Sequence, residues 1–399
     1  MSREKNLLNG YSFANLGLFT GFGSGIVNAV YSLVIFDIFR LFFSESVSSV
    51  AVGVYAAVYA LFASVVGIVS AEFLHRFTKT RLLYMSLLIL GACYSMMSFS
   101  VKPGTFISLD YMANFGLTMA GVLIPLFISD LSKSIGIAKV NARYHLWVNV
   151  GALVAPMFAM FIVNKFNGNY RIPFLAAGII YLSGMLFFKN FGITQQEKVL
   201  KKINIKRTLR ALRINAKEFF KKTGMLRAYV VNFGFYALRA MRILYVPIVV
   251  IENGFSNDTL GLILSIGILP YIFIDLFIGN WIKKYGVKIL LTIGFLSFSF
   301  FSFVAMFASG YVLLSVFILW QISGAFMEAV HDLLFFDGMK KNEQARFYGI
   351  FRTSMNLPSV AAPMFGALCI AIFNSVSAVW LITAVAGILS TMVLWSKHQ

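Results

Sequence analysis

Charged side chains inside long apolar runs are the first candidates for chemistry in this chain. Arg239 and Arg242 are three positions apart, so they would share one face of a helix. Glu328, His331 and Asp332 form a second group within about one helical turn. If these runs cross a membrane, a charge near the bilayer centre costs about 2.5–3.5 kcal/mol on insertion scales. Each of these residues therefore needs a functional or a structural reason.

Proton exchange is one chemistry that suits these groups. Burial and neighbouring charges change the proton affinity of a carboxylate, and histidine titrates near neutrality. We predict that a carboxylate among Glu328, Asp332 and Asp275 takes up and releases a proton, and that His331 joins this proton relay. Alternating access would couple the proton to the movement of a solute. The competing interpretation is a static ion-pair network that closes the cytoplasmic side.

Solute binding is the other chemistry. We predict that Arg239 and Arg242 line an internal cavity, together with Asn28 and Asn149 from the first half of the chain. Two arginines in a cavity favour an organic anion or a carboxylated solute. The many aromatic residues would instead favour lipophilic drugs, and neutralisation of the arginines by Glu328 or Asp332 would remove the preference for an anion. The sequence leaves both possibilities open.

The elements that must position these residues are membrane-spanning helices. Of the 399 residues, 59% are hydrophobic and only 12% are charged, whereas soluble proteins are about 25% charged. A span needs about 20 apolar residues, and short polar breaks divide the chain into twelve such runs, which predicts an all-α polytopic membrane protein. The predicted spans are 12–42, 47–73, 81–101, 106–131, 144–165, 172–190, 226–251, 258–282, 287–308, 311–337, 346–372 and 375–395.

The distribution of the net charge of +19 agrees with the predicted membrane spans. With the N-terminus inside, the only Lys and Arg predicted on the outer side are Arg40, Lys102, Lys165 and Arg171. Apart from three arginines within spans, all the others fall on the inner side, as the positive-inside rule requires. We therefore expect both termini to be cytoplasmic, in a bacterial or archaeal inner membrane. The same distribution explains the basic character without nucleic-acid binding.

One long polar break divides the chain into two halves. We predict an N-terminal six-helix bundle at 1–190, a basic cytoplasmic linker at 191–225 and a C-terminal six-helix bundle at 226–399. Within the linker, 198–222 is rich in Lys and Arg, and its apolar residues recur at helical spacing. We expect an amphipathic helix that lies on anionic lipid, and the alternative is a disordered basic linker.

Three pairs of matching segments indicate that the halves are repeats. Residues 142–144 and 155–158 match 345–347 and 362–365, as Ala-Arg followed by an aromatic residue and Ala-Pro-Met-Phe. Asp130 and Asp337 end corresponding spans, each with a lysine three positions later. Basic loops after the second span of each half form the third pair. Because six helices return the chain to its starting side, the two bundles are parallel repeats that enclose a cavity.

The whole chain resembles the major facilitator superfamily. Its loop between spans 2 and 3 keeps Arg76 and Lys79 of the family pattern Gly-x-x-x-Asp-Arg-x-Gly-Arg-Lys, with Ala71, His75 and Thr78 in place of Gly, Asp and Gly. The copy after span 8 keeps several positions but has a lysine where the family has an acidic residue. The resemblance implies a secondary transporter, and the missing acidic residues put the family's cytoplasmic latch in doubt.

Two glycine patterns have both a functional and a packing interpretation. Gly151 to Pro156 resembles the Gly-x-x-x-Gly-Pro motif of the drug–proton antiporter branch, which implies efflux. Close helix packing and a proline bend explain the same residues. In span 1, Gly17, Gly21 and Gly25 predict close packing across the interface between the halves.

We predict a proton-coupled carrier of a small organic solute, with efflux favoured over uptake of an organic anion or metabolite. A membrane enzyme or receptor and a channel are the alternatives, but no loop has a catalytic or ATP-binding pattern. No cofactor or metal is expected, and the internal repeat favours a monomer. Charged residues predicted to form the cytoplasmic gate are Arg76, Lys79, Asp130, Arg143, Asp337, Arg346 and Arg352.

Overall fold

Every regular element in the described part of the chain is a helix. The computed structural model describes residues 10–131, 137–190, 205–337 and 341–396. The helices are α1 (Leu16–Arg40), α2 (Glu45–Arg76), α3 (Lys79–Phe99), α4 (Pro103–Leu131), α5 (Ile137–Lys165), α6 (Ile172–Asn190), α7 (Ile205–Lys221), α8 (Thr223–Glu252), α9 (Asn257–Ile266), α10 (Leu269–Tyr285), α11 (Val287–Phe307), α12 (Gly310–Glu328), α13 (Leu333–Asp337), α14 (Lys341–Phe373) and α15 (Val379–Trp395).

Twelve helical segments in this part are long and apolar enough to cross a membrane. They run from Gly10–Arg40, which extends α1, to Val376–Trp395, which extends α15. Helix α7 is not among them, because its sequence is too polar. The predicted all-α fold with twelve spans is confirmed.

Two spans that we predicted as continuous are interrupted. The predicted span 258–282 is divided between α9 and α10, because Pro270 at the start of α10 has no amide hydrogen to continue the α9 ladder. The predicted span 311–337 is divided between α12 and α13 by a turn at 329–332. In that turn the Val330 amide donates to the Met327 carbonyl at 3.2 Å, a bond one residue shorter than in an α-helix.

The described helices group into two compact units. The first comprises Met1–Val34, Leu61–Lys202 and Ser256–Ser265. The second comprises Ile35–Ala60, Ile203–Phe255 and Ile266–Gln399. The predicted division into bundles at 1–190 and 226–399, with the linker 191–225 between them, was based on the sequence repeat. This division stays a prediction.

In the first unit, α1 and α5 touch through their backbones. A Cβ atom added at Gly21 would overlap the Val148 carbonyl, and one added at Gly25 would lie 2.6 Å from the Ala155 Cβ. A Cβ added at Gly151 would lie 2.5 Å from the Phe22 amide nitrogen. The glycines of span 1 therefore mediate close packing, as predicted. The prediction that this packing joins the two halves was wrong, because α1 and α5 belong to the same unit.

In the second unit, the amphipathic helix α7 packs against its own chain. Phe219 is fully buried, and its ring lies 6.0 Å from the Phe347 ring of α14. Ala216 contacts the same cluster. The opposite side exposes Arg213 and Lys217 to solvent. The helix predicted in the linker is thus present over Ile205–Lys221, with its apolar face on protein, while 191–204 lies outside the described residues.

We predict that Gly21→Ala destabilises the protein by about 1–3 kcal/mol, because the methyl group overlaps the α5 backbone. Gly121→Ala is the matched control, since a Cβ at Gly121 meets nothing within 4 Å. Alanine there should be neutral or stabilising by up to about 1 kcal/mol through helix propensity. Unfolding temperatures of the purified variants in detergent measure both effects, and equal values for the two variants would contradict the close α1–α5 contact.

Candidate functional site

An ion pair joins α8 to α12 in the second unit. The Arg239 guanidinium Nη1 lies 3.0 Å from Glu328 Oε1. The Arg239 side chain is 40% exposed and that of Glu328 is 38% exposed. Both groups therefore border open space, and the arginine that the sequence places deep in a span has a carboxylate partner.

Arg242 has a different environment. Its Nη1 group donates to the Tyr271 hydroxyl of α10 and to Gln321 Oε1 of α12, and its guanidinium carbon lies 5.5 Å from the centre of the Tyr271 ring. Gly324 leaves room for the Tyr271 hydroxyl, since a Cβ there would lie 2.6 Å from it. Both hydrogen-bond partners are uncharged, so they fix the direction of the Arg242 side chain without neutralising its charge.

A cavity of about 430 Å³ lies beside the ion pair. Both of the charged side chains that line it are arginines, Arg239 from α8 and Arg352 from α14. Neutral polar and apolar groups complete the wall. The lining residues are Tyr236, Arg239, Ala240, Ile243, Arg352, Met355, Asn356 and Ser359.

His331 and Asp332 occupy the turn between α12 and α13. His331 is 5% exposed, and its ring packs against the Phe235 ring with centroids 4.4 Å apart. His331 Nδ1 lies 2.8 Å from the Glu328 carbonyl oxygen. His331 Nε2 lies 3.6 Å from Asp332 Oδ1. The predicted proton-coupling residues Glu328, His331 and Asp332 are thus brought together, while the side chain of Asp275 lies outside the described part.

The predicted asparagines belong to the first unit. Asn28 is exposed and Asn149 is half-buried. The second unit holds the two arginines with which we grouped them. Their assignment to a substrate cavity stays a prediction.

The structure describes the side chains of only some of the residues predicted to form the cytoplasmic gate. Lys79 Nζ lies 2.7 Å from Asp130 Oδ2, which joins the start of α3 to the end of α4. Arg143 lies 5.1 Å from the centre of the Tyr11 ring. Arg76 is exposed, and Arg352 lines the cavity. The side chains of Asp337 and Arg346 lie outside the described residues, so the gating role of the whole set stays a prediction.

Sequence reasoning missed the neutral partners of the charges. Tyr271 and Gln321 lie in apolar runs and carry no charge. Each therefore looks like an isolated polar residue in a span, and nothing in the sequence indicates that it contacts Arg242. The burial of Asp110 in α4 was not predicted either: its side chain is 1% exposed and accepts a hydrogen bond from the Tyr31 hydroxyl at 2.9 Å.

One protein family matches nearly the whole chain. A family model described as Major Facilitator Superfamily matches residues 13–251 and 228–398. The search of curated proteins finds no match.

Solved structures share the fold across nearly the whole chain. A D-xylose–proton symporter matches with a TM-score of 0.76 at 16% identity, covering 98% of this chain and 96% of that one. A peptide-bound POT family transporter matches at 0.77 and 13% identity, covering 96% and 94%. A mutant form of the nucleoside transporter NupG matches at 0.71 and 14% identity, covering 97% and 100%. At these identities the likeness concerns the fold alone.

We predict that Arg239→Gln and Glu328→Gln each destabilise the protein, and that the double variant is more stable than the two losses predict. The expected coupling is about 0.5–1 kcal/mol, because both side chains are partly exposed. Unfolding of the four proteins in detergent measures it. Arg239→Gln combined with the distant Asp258→Asn should show additive losses, and additivity for the Arg239–Glu328 pair would contradict the ion pair.

Proposed function

Since the chain belongs to the major facilitator superfamily, we propose that it is a proton-coupled secondary transporter that moves a small organic solute by alternating access. The family and the solved structures of similar fold make it an integral membrane transporter rather than an enzyme. The proton coupling, the solute and the direction are the proposed parts.

The observation that carries the proposal is the Arg239–Glu328 ion pair at the edge of the 430 Å³ cavity. Ionisable groups within spans are costly and are kept mainly where they face a cavity and pair with one another. A carboxylate that gains a proton releases its arginine, and the free arginine then attracts a negatively charged group. The cluster of Glu328, His331 and Asp332 supplies titratable groups next to this pair.

Uptake of an organic anion is the second candidate function. Arg239 and Arg352 line the cavity, and Arg242 is held by two uncharged partners. Within the described residues of the second unit, these three arginines outnumber the two carboxylates beside the cavity, Glu328 and Asp332. This charge balance favours a solute with a carboxylate or another single negative charge.

Efflux is the direction that the antiporter-like motif of span 5 supports. Gly151 and Ala155 lie against α1, so helix packing also accounts for the motif. We propose efflux on the resemblance, and the transport experiment below decides it.

The surroundings of the transporter complete the proposal. We propose a monomer in a bacterial or archaeal inner membrane with both termini in the cytoplasm. The exposed basic side chains of α7, which include Arg213, Lys217 and Lys221, would then face anionic lipid headgroups.

We predict that an imposed pH gradient drives net movement of a solute in proteoliposomes, and that reversing the gradient reverses the movement. Labelled benzenesulfonate, which stays ionised and does not cross the lipid as a neutral acid, and tetraphenylphosphonium serve as the anionic and the lipophilic cationic probe, with the membrane potential clamped. Accumulation should be at least about tenfold over empty liposomes, which corresponds to about 1.4 kcal/mol. Asp258→Asn, a carboxylate outside the cluster, should behave as the wild type. Carrier-mediated flux that is the same with and without the gradient would contradict proton coupling.

The two candidate solute classes separate in a binding experiment. If the solute is an anion, benzoate should raise the unfolding temperature, because a ligand of the folded state stabilises it. Arg239→Ala and Arg242→Ala should each abolish most of this shift. Stabilisation by tetraphenylphosphonium that survives both substitutions would contradict the organic-anion candidate and support a lipophilic one.

A further inference from the structure

The imidazole of His331 is oriented by two carbonyl groups. Its Nδ1 atom lies 2.8 Å from the Glu328 carbonyl oxygen and 3.2 Å from that of Met327. A carbonyl oxygen only accepts, so Nδ1 carries the hydrogen. The Glu328 carbonyl is available because α12 ends at this residue. The Met327 carbonyl also accepts from the backbone amides of Val330 and His331.

The other ring nitrogen faces a carboxylate without a hydrogen between them. His331 Nε2 lies 3.6 Å from Asp332 Oδ1, both atoms are buried, and neither has a hydrogen-bond partner in the described part of the chain. With Nδ1 protonated, the neutral ring presents a lone pair at Nε2, and an ionised Asp332 presents another at Oδ1. Two buried acceptors that face each other are unfavourable, since each loses its hydrogen bonds to water and gains none in return.

We propose that His331 and Asp332 form a proton-binding site in which one proton is shared between Nε2 and Oδ1. A proton from water forms a bond with the Nε2 lone pair, and the resulting N–H donates to Oδ1. The charge of the pair changes from −1 to 0, and both buried atoms are satisfied. The site stands on this geometry, and only its role in transport rests on the proposed function.

Asp332 is the more accessible partner of the pair. Its side chain is 39% exposed, while that of His331 is 6% exposed. The carboxylate therefore has one buried oxygen that faces the ring and a remainder that borders solvent. This arrangement gives the shared proton a route in and out without movement of the imidazole.

The neighbouring charges distinguish this pair from Glu328. Glu328 accepts a hydrogen bond from Arg239 and is already paired as a carboxylate. Tyr236 of α8 packs against the His331 ring with centroids 5.6 Å apart. The charged side chains that act on Tyr236 are Arg239 of α8, Asp332, Glu328 of α12 and Arg352 of α14. Phe235 covers the remaining ring face. The shared proton therefore sits beside an ion pair whose geometry it does not need to break.

Nitrogen-15 NMR of histidine-labelled protein in lipid nanodiscs tests the site, with His331→Gln to assign the signal. In the wild type at acidic pH, both nitrogens of His331 should carry hydrogen. At alkaline pH, Nε2 alone should lose it. In Asp332→Asn no carboxylate remains to accept from a protonated Nε2, and the amide N–H can instead donate to the neutral ring, so Nε2 should gain its hydrogen only at a lower pH than in the wild type.

Asp258→Asn is the matched control and should leave the His331 titration unchanged. The proposal is overturned if wild-type Nε2 carries no hydrogen at acidic pH, if Nδ1 is the nitrogen that deprotonates, or if Asp332→Asn titrates as the wild type does. The wild-type titration alone decides the first two, even where a variant does not fold. The experiment uses no solute, so a transporter that ignores the pH gradient would refute the proposed coupling and leave this site standing.

Discussion

Charge within a membrane span has to be matched by a partner or by water, and the second unit is built around this requirement. Arg239 meets it with the carboxylate of Glu328, and Arg242 meets it with the oxygen atoms of Tyr271 and Gln321. Three helices, α8, α10 and α12, contribute these groups. Their mutual positions follow from the need to bring each donor to its acceptor across a low-dielectric interior.

The interrupted spans follow from the same requirement. Gly267, at the break between α9 and α10, lies against Gln321, where a Cβ would lie 2.7 Å from its amide nitrogen. The second break places His331 against the carbonyls that end α12. Non-helical backbone is tolerated at membrane depth where protein or a cavity surrounds it. At the first break the side chain of Gln321 lies close to the backbone of Gly267, and at the second the His331 ring contacts the Glu328 carbonyl oxygen.

The sequence predicted what depends on composition and spacing. Twelve spans, the helix within the linker and the positions of Arg239, Glu328 and His331 all follow from apolar runs and the charges inside them. The sequence does not predict which charged residues form ion pairs. Arg239 and Glu328 are 89 positions apart, and nothing in their local sequence specifies their contact. The breaks were missed since hydropathy continues through Gly267, and a single Pro270 does not by itself locate an interruption.

Burial of Asp110 was missed for a related reason. The position of Asp110 near the end of a span does not indicate that its carboxylate is buried. Only the fold shows the Tyr31 hydroxyl that donates a hydrogen bond to this carboxylate in the interior. The first unit is thus less uniformly neutral than its composition indicates. Its mid-span asparagines, Asn28 and Asn149, remain assigned to a cavity on sequence grounds alone.

The glycine contact between α1 and α5 has a mechanical consequence. Backbone lies on backbone at Gly21 and Gly151, so at these two positions no side chain lies between the helices to absorb a displacement by changing its rotamer. Sliding by a single residue would replace a glycine with a side chain for which there is no room. The two helices are therefore fixed in register, and we expect α1 and α5 to move together as a rigid body.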